Sequence, residues 1–177
     1  GMESMARKFL LSSGKLQTLC YKYEIERNLR TKDYAGFLWL ALNDYSGQGT
    51  ALVGPLNVFF REKGYVDSTQ WRQFCNDVVV MAEFPKFVFT TGEKAEVAID
   101  VYNALGGQPL NQARLSYAIS HAAAHGTVLT ADLPAGKSLK VARVPLFTDT
   151  TTPGKYTLSF TLSHGAHTYT NTYDYWV

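Results

Sequence analysis

Acid–base work on a single bond needs two carboxyl groups facing each other across it, and this sequence offers fifteen Asp and Glu residues to choose from. Glu24 and Glu26 stand two positions apart in a helical stretch, so their side chains leave the helix in different directions. Glu62, Glu83, Glu93 and Glu96 are scattered through polar connections and alternating segments, and no catalytic pair is assigned. The pairs His121/His125 and His164/His167 have spacings seen among metal ligands. The zinc-protease pattern, however, needs a Glu directly after the first His on a helix, and both pairs fall in or beside turns. They read as surface histidines, and no metal ligand is assigned. Gly47-Gln48-Gly49-Thr50 has the small residues of an anion-binding loop, but neither a following Lys-Ser/Thr nor a GxGxxG pattern accompanies it. Ser12, Ser13 and Ser159 lack the glycines of a nucleophile elbow. Cys20 and Cys75 show no CxxC spacing and sit in amphipathic helical patterns, which makes them buried core thiols. No cofactor is implied by any of these groups.

One polar, aromatic stretch remains. Trp39, Asn43, Asp44, Tyr45 and Gln48 combine two aromatic faces with amide and carboxylate groups, the equipment that holds sugars by stacking and side-chain hydrogen bonds. Three of them also have a structural reading: Trp39 as core, and Asp44 with Asn43 as caps of a glycine-rich turn.

The elements that must position this stretch follow from periodicity. From Ser4 to about Arg30, Phe9, Leu16, Leu19, Cys20, Tyr23 and Leu29 recur at helical spacings between basic residues, the pattern of a long amphipathic helix. Gly14 interrupts it at a cost of about 1 kcal/mol relative to Ala, enough for a kink there. After Thr31-Lys32-Asp33, the run Ala35–Leu42 is almost unbroken in apolar character, as in parallel strands buried on both faces. The loop Asn43–Thr50 lies at that strand's C-terminal end. Asp67 and Gln70 form a capping box, with Val66 and Trp71 at hydrophobic-staple spacing, so a second helix starts at Ser68 and reaches Cys75. Helix, strand, loop and helix are one and a half units of an α/β fold, which cannot close a sheet alone.

From Phe87 the period becomes two. Lys86–Thr90, Ala95–Tyr102, Arg114–Ser120, Thr127–Leu133, Ser138–Val144, Lys155–Ser163 and Thr168–Trp176 alternate between turn residues, the pattern of an immunoglobulin-like sandwich. It lacks a Cys…Trp…Cys core and so resembles the fibronectin type, held by apolar packing alone. The expected class is α+β: a partial (β/α) barrel fragment over residues 4–83, then an antiparallel β-sandwich over residues 84–177, expected to fold by itself. The boundary falls around Ala82–Lys86, and the apolar Val78-Val79-Val80-Met81 argues against a free tether.

Composition narrows the partners. Nearly half of the 177 residues are apolar, and 17 basic residues face 15 acidic ones. No basic run is dense enough to follow a phosphate backbone, so nucleic acid is excluded. The longest apolar runs, Ala35–Leu42 and Val78–Ala82, fall far short of the ~20 residues that cross a bilayer. Gly1-Met2 reads as an expression-tag scar, and a targeting signal would lie upstream of it. A soluble protein is expected, periplasmic or secreted if such a signal precedes it.

The segments Tyr23–Thr31 and Ala35–Gly54 resemble the last strand region of family-two glycoside hydrolases, which include β-galactosidases, β-mannosidases, β-glucuronidases and exo-β-glucosaminidases. Members carry a glycine-aromatic strand ending in a polar aromatic loop, and one branch has a version very close to Leu42–Gly54. Ser46 stands where proline is common, and Asn43 where glutamine is. The likeness continues through Trp71–Cys75 and Phe84-Pro85-Lys86 to Asn171–Val177. It implies a C-terminal part of a retaining β-glycosidase whose two catalytic glutamates sit on earlier barrel strands. On that reading Trp39, Asn43, Asp44, Tyr45 and Gln48 wall a sugar pocket, and the chain is inactive alone. Its partners are then carbohydrate, bound through the parent enzyme, and the remainder of the barrel, with self-association expected while the barrel is absent. The alternative is a non-catalytic carbohydrate- or protein-binding sandwich, which an exposed row among Tyr156, Tyr169, Tyr173, Tyr175 and Trp176 would favour.

Overall fold

A computed structural model of the chain describes residues 1–48, 52–122, 124–149 and 152–177. The chain divides into two compact units, Gly1–Cys75 and Asn76–Val177.

In the first unit a 3-10 turn, Glu3–Met5, leads into α1 (Ala6–Arg30). The helix runs without a break through Gly14. That glycine is required by close approach, because a Cβ there would stand 2.3 Å from a ring carbon of Tyr65. The covered face of α1 holds Gly14, Ile25, Glu26 and Leu29, with Gln17, Thr18, Tyr21 and Lys22 half-buried beside them. The face expected to be the core side stands open instead: Phe9, Leu16, Leu19 and Tyr23 are 49%, 63%, 61% and 48% exposed. Cys20 is exposed and Cys75 half-buried, both free, so neither is the core thiol that the periodicity suggested. The reason is that the covered stripe offers what the facing loops need, a glycine for contact and polar groups for backbone partners, and these outweigh hydropathy. Glu26 is buried between Lys22 at 2.8 Å and Arg30 at 3.6 Å. Burial lowers the Lys22 pKa, and the Glu26 carboxylate opposes that shift.

Residues 35–42 form no strand. Leu38 is 99% and Leu40 85% exposed, and only Trp39 and Ala41 are partly covered. The expected helix-strand-helix piece of a barrel is therefore absent from the described residues. A buried strand exists only with partners for its backbone groups, and among the described residues this stretch has none beyond a parallel bridge at its end, Asn43 to Leu56. The second helix, α2 (Ser68–Trp71), is a single turn that begins with the expected capping box: Gln70 N donates to Asp67 Oδ1 at 2.7 Å, and Asp67 N donates to Gln70 Oε1 at 3.2 Å.

The second unit is an immunoglobulin-like sandwich of two antiparallel sheets. Its strands are β1 (Val78–Glu83), β2 (Glu96–Asn103), β3 (Leu110–Ile119), β4 (His125–Leu133), β5 (Gly136–Pro145), β6 (Lys155–His164) and β7 (His167–Trp176). One sheet has the order β1-β2-β5, the other β4-β3-β6-β7. Six of these strands lie where alternation placed them. The exception is the first: Lys86–Thr90 contributes only an isolated bridge from Val88 to Trp176. The apolar run 78–82 is the real first strand and pairs with β2 from Val78↔Asn103 to Glu83↔Ala98. A strand buried at both parities, as β1 is, shows no alternation to read.

The core joins Val78, Val80 and Ala82 of β1 to Val97, Ile99 and Val101 of β2, and across the sandwich to Leu115, Leu158, Phe160 and Tyr175. As an edge strand, β1 leaves alternate backbone groups without a ladder partner, and the other sheet satisfies two of them. Asn171 Nδ2 donates to Val80 O at 2.7 Å, and Ala82 N donates to the Tyr173 hydroxyl at 3.0 Å. Where the β2–β5 register shifts between Ile99 and Val101, the buried Asp100 carboxylate accepts Lys140 N at 2.6 Å and holds the irregularity in place. No helix among the described residues is long and apolar enough to cross a membrane.

Candidate functional site

The polar stretch after residue 42 is held at its base. Leu56 N donates to Leu42 O at 3.2 Å and Asp44 N to Leu56 O at 3.0 Å. These bonds close a loop of residues 45–53, of which the structure describes 45–48 and 52–53. Gly49 and Thr50, part of the glycine-rich run weighed as an anion loop, lie outside the described residues. Gly54 returns so close over Asn43 that a Cβ on it would be 2.4 Å from the Asn43 carbonyl carbon.

Asp44 is the buried centre of this base, 7% exposed. Its Oδ1 accepts Gly54 N at 3.0 Å and Lys63 Nζ at 2.7 Å. The charge is paired and hydrogen-bonded, which is what makes burying it tolerable. Asn43 is half-buried and donates from Nδ2 to Asp44 O at 2.9 Å. Tyr45 turns outward, 61% exposed, with its ring over Gly47, where a Cβ would come within 2.4 Å of it. Gln48 is exposed beside it. Of the five residues singled out from sequence, two build the base and two stand in solvent.

Trp39 belongs to a different group. Its ring stacks on Trp71 at 4.6 Å and meets Tyr21 edge-on at 5.4 Å, while Phe74 packs edge-on against Trp71 at 4.9 Å. The Trp39 Nε1 is buried and has no hydrogen-bond partner among the described residues.

Several residues of the base carried no signal in the sequence reading. Gln17 Nε2 and the Tyr21 hydroxyl both donate to Val53 O, at 2.8 Å and 3.1 Å. The Tyr65 hydroxyl reaches Gly54 O at 2.9 Å and Gln17 Oε1 at 3.1 Å. Burial raises the Tyr65 pKa, and the negative charge of Asp44 adds to the effect. The available clue was a run of polar groups on α1 four residues apart, Gln17 and Tyr21, on the face that hydropathy assigned to solvent.

Two carboxylates weighed in the sequence are tied into ion pairs in the second unit. Glu93 bonds Lys86 and Thr90, which together hold its pKa below the usual carboxylate range, and Glu96 pairs with Arg143. Among the described residues no three His, Cys, Asp or Glu side chains gather as a metal site. Of the aromatic row whose facing the alternation left open, Tyr156, Tyr173 and Tyr175 point inward, 6%, 7% and 0% exposed, Tyr169 is half-buried, and Trp176, at 44%, is open. The Tyr175 hydroxyl donates to Phe147 O at 2.9 Å, and burial pushes its pKa up to about 12.

Residues 93–177 match a family described as a domain of unknown function, DUF8488. No curated protein matches the chain. Among solved structures, a β-glucuronidase from Parabacteroides merdae is 15% identical with a TM-score of 0.39, over 56% of this chain and 13% of that one. A family 123 glycoside hydrolase from Clostridium perfringens is 12% identical with a TM-score of 0.39, over 58% of this chain and 27% of that one. A CARDB domain from Pyrococcus furiosus, in complex with di-metal ions, is 20% identical with a TM-score of 0.41, over 56% of this chain and 90% of that one. The chain thus spans only a small part of the two hydrolases.

Proposed function

We propose that the chain is the non-catalytic C-terminal part of a family-two type β-glycosidase, in which the 45–53 loop contacts sugar and the sandwich buttresses the catalytic domain. The observation that carries this reading is the setting of the loop. It follows directly on an eight-residue apolar run that has no strand partner among the described residues and leaves Leu38 and Leu40 in solvent. Contiguous exposed apolar surface marks a place that another surface covers. On this reading residues 35–42 become the expected barrel strand against neighbouring strands that are absent among the described residues. The likeness of Leu42–Gly54 to the family's last strand and loop supports the rest of a barrel as that neighbour. Tyr45 and Gln48 then contact the sugar, Asn43 and Asp44 hold the loop, and Trp39 lies behind it.

Non-catalytic sugar binding by the sandwich itself is less well supported, because its tyrosine row faces the core. The sequence upstream of Met2, together with an activity assay, tests the proposal. An upstream frame encoding a barrel with glutamates at two strand ends is expected, with no turnover of aryl β-galactosides, β-mannosides, β-glucuronides or β-glucosaminides by the purified chain. Hydrolysis abolished by changing one of the chain's own carboxylates, or an upstream frame without a barrel, overturns it.

A further inference from the structure

The geometry points to Tyr65 as the positioning residue of the 45–53 loop, acting on the backbone of its returning end. Three successive carbonyls there, and one amide, are each held by a side chain. Lys63 Nζ donates to Leu52 O at 3.4 Å. Gln17 and Tyr21 donate to Val53 O, and Asp44 accepts Gly54 N. Tyr65, only 8% exposed, donates to Gly54 O.

Tyr65 joins these contacts into one unit. A hydroxyl carries a single proton, and in Tyr65 it is directed between Gly54 O at 2.9 Å and Gln17 Oε1 at 3.1 Å. Gln17, oriented in this way through its oxygen, presents its Nε2 to Val53 O at 2.8 Å. The ring of Tyr65 rests on Gly14, one turn of α1 before Gln17, at a distance no side chain at residue 14 permits. The helix therefore fixes the ring, the ring fixes the hydroxyl, and the hydroxyl fixes two carbonyls. At the same loop end Asp44, paired to Lys63, accepts the Gly54 amide. Opening the loop at residues 52–54 would strand several buried polar groups together, which is costly in a low-dielectric setting. Tyr45 and Gln48 are thus presented from a rigid base, as a contact loop requires. That the loop contacts sugar rests on the function proposed above; the clamp itself does not.

The test uses Tyr65→Phe in the full chain, which keeps the ring against Gly14 and removes only the hydroxyl. Hydrogen exchange, read peptide by peptide, is expected to rise about tenfold over residues 45–54, the change in local opening that follows loss of one buried hydrogen bond. Exchange across α1 should stay as in the parent. Gly14→Ala, which displaces the ring, is expected to release the same loop. Unchanged exchange at 45–54 in Tyr65→Phe, or an equal rise across residues 6–30, overturns the positioning role. Saturation-transfer NMR with methyl β-glucuronide and methyl β-galactoside supplies the separate arm. A clamped loop that shows no transfer from Tyr45 leaves the clamp standing and removes the sugar reading.

Discussion

Ala35–Leu42 and Val78–Ala82 are the two longest apolar runs in this chain, and they end in opposite environments. In the second, Val78, Val79, Val80 and Met81 are at most 1% exposed and form a strand of the sandwich. In the first, Leu38 and Leu40 stand 99% and 85% exposed and no strand forms. Hydrophobicity does not separate them; the supply of partners does. β1 finds β2 within the same unit and pairs with it in an unbroken register, and Asn171 and Tyr173 satisfy its outer edge. The earlier run needs parallel neighbours, which a chain supplies only through long crossovers. Among the described residues nothing plays that part.

The sharpest way to break this comparison is to remove the covered run. Residues 76–177 expressed alone should unfold in one cooperative thermal transition, whereas residues 84–177, shorn of β1, should show none. This runs against the sequence expectation that 84–177 is self-sufficient, because Val78, Val80 and Ala82 belong to the sandwich core. A cooperative transition in 84–177 would make β1 dispensable.

A matched pair of substitutions comes next. Val80→Asp places an unpaired charge where the side chain is 1% exposed and should cost about 3–5 kcal/mol, the penalty of an uncompensated buried charge. Leu38→Asp should change stability by no more than about 0.5 kcal/mol, as for a surface position. Urea unfolding of both variants reads the difference, and comparable losses would mean that residue 38 is covered in solution.

The exposed run should also report itself through association. Sedimentation is expected to show concentration-dependent self-association of the chain, weakened at least about tenfold by Leu38→Asp with Leu40→Asp, because the attraction is apolar area. A strictly monomeric parent chain would break the link between exposure and a missing partner.

The smallest effect concerns pH and touches only the covered side. Tyr175 packs in the core that includes β1, and its pKa stands at about 12 against an ordinary 10.0. A group whose pKa is raised on folding contributes stability that is whole below its unfolded value and lost as pH rises through the folded one. The transition of residues 76–177 should therefore hold steady up to about pH 10 and fall between about 10 and 12. Tyr175→Phe should flatten that fall. An unchanged slope in Tyr175→Phe would assign it to other groups.

The sequence by itself determined what is local or strictly periodic. Six sandwich strands follow from alternation, because a half-buried strand writes its facing into every second residue. The α2 capping box follows from Asp67 and Gln70, whose partners are three residues apart. The loop after residue 42 was legible as a place where polar and aromatic groups gather. Tertiary structure decided which apolar surfaces are covered: the Gly14–Gln17–Tyr21 side of α1 over the Phe9–Leu16–Tyr23 side, and Val78–Ala82 over Ala35–Leu42. It also decided that Asp44 is an anchor paired to Lys63 while Tyr45 and Gln48 face outward. These choices depend on pairings between residues far apart in the chain, such as Tyr65 with Gln17 and Asn171 with Val80. A periodicity records how a segment could face a partner, and only the folded chain supplies the partner.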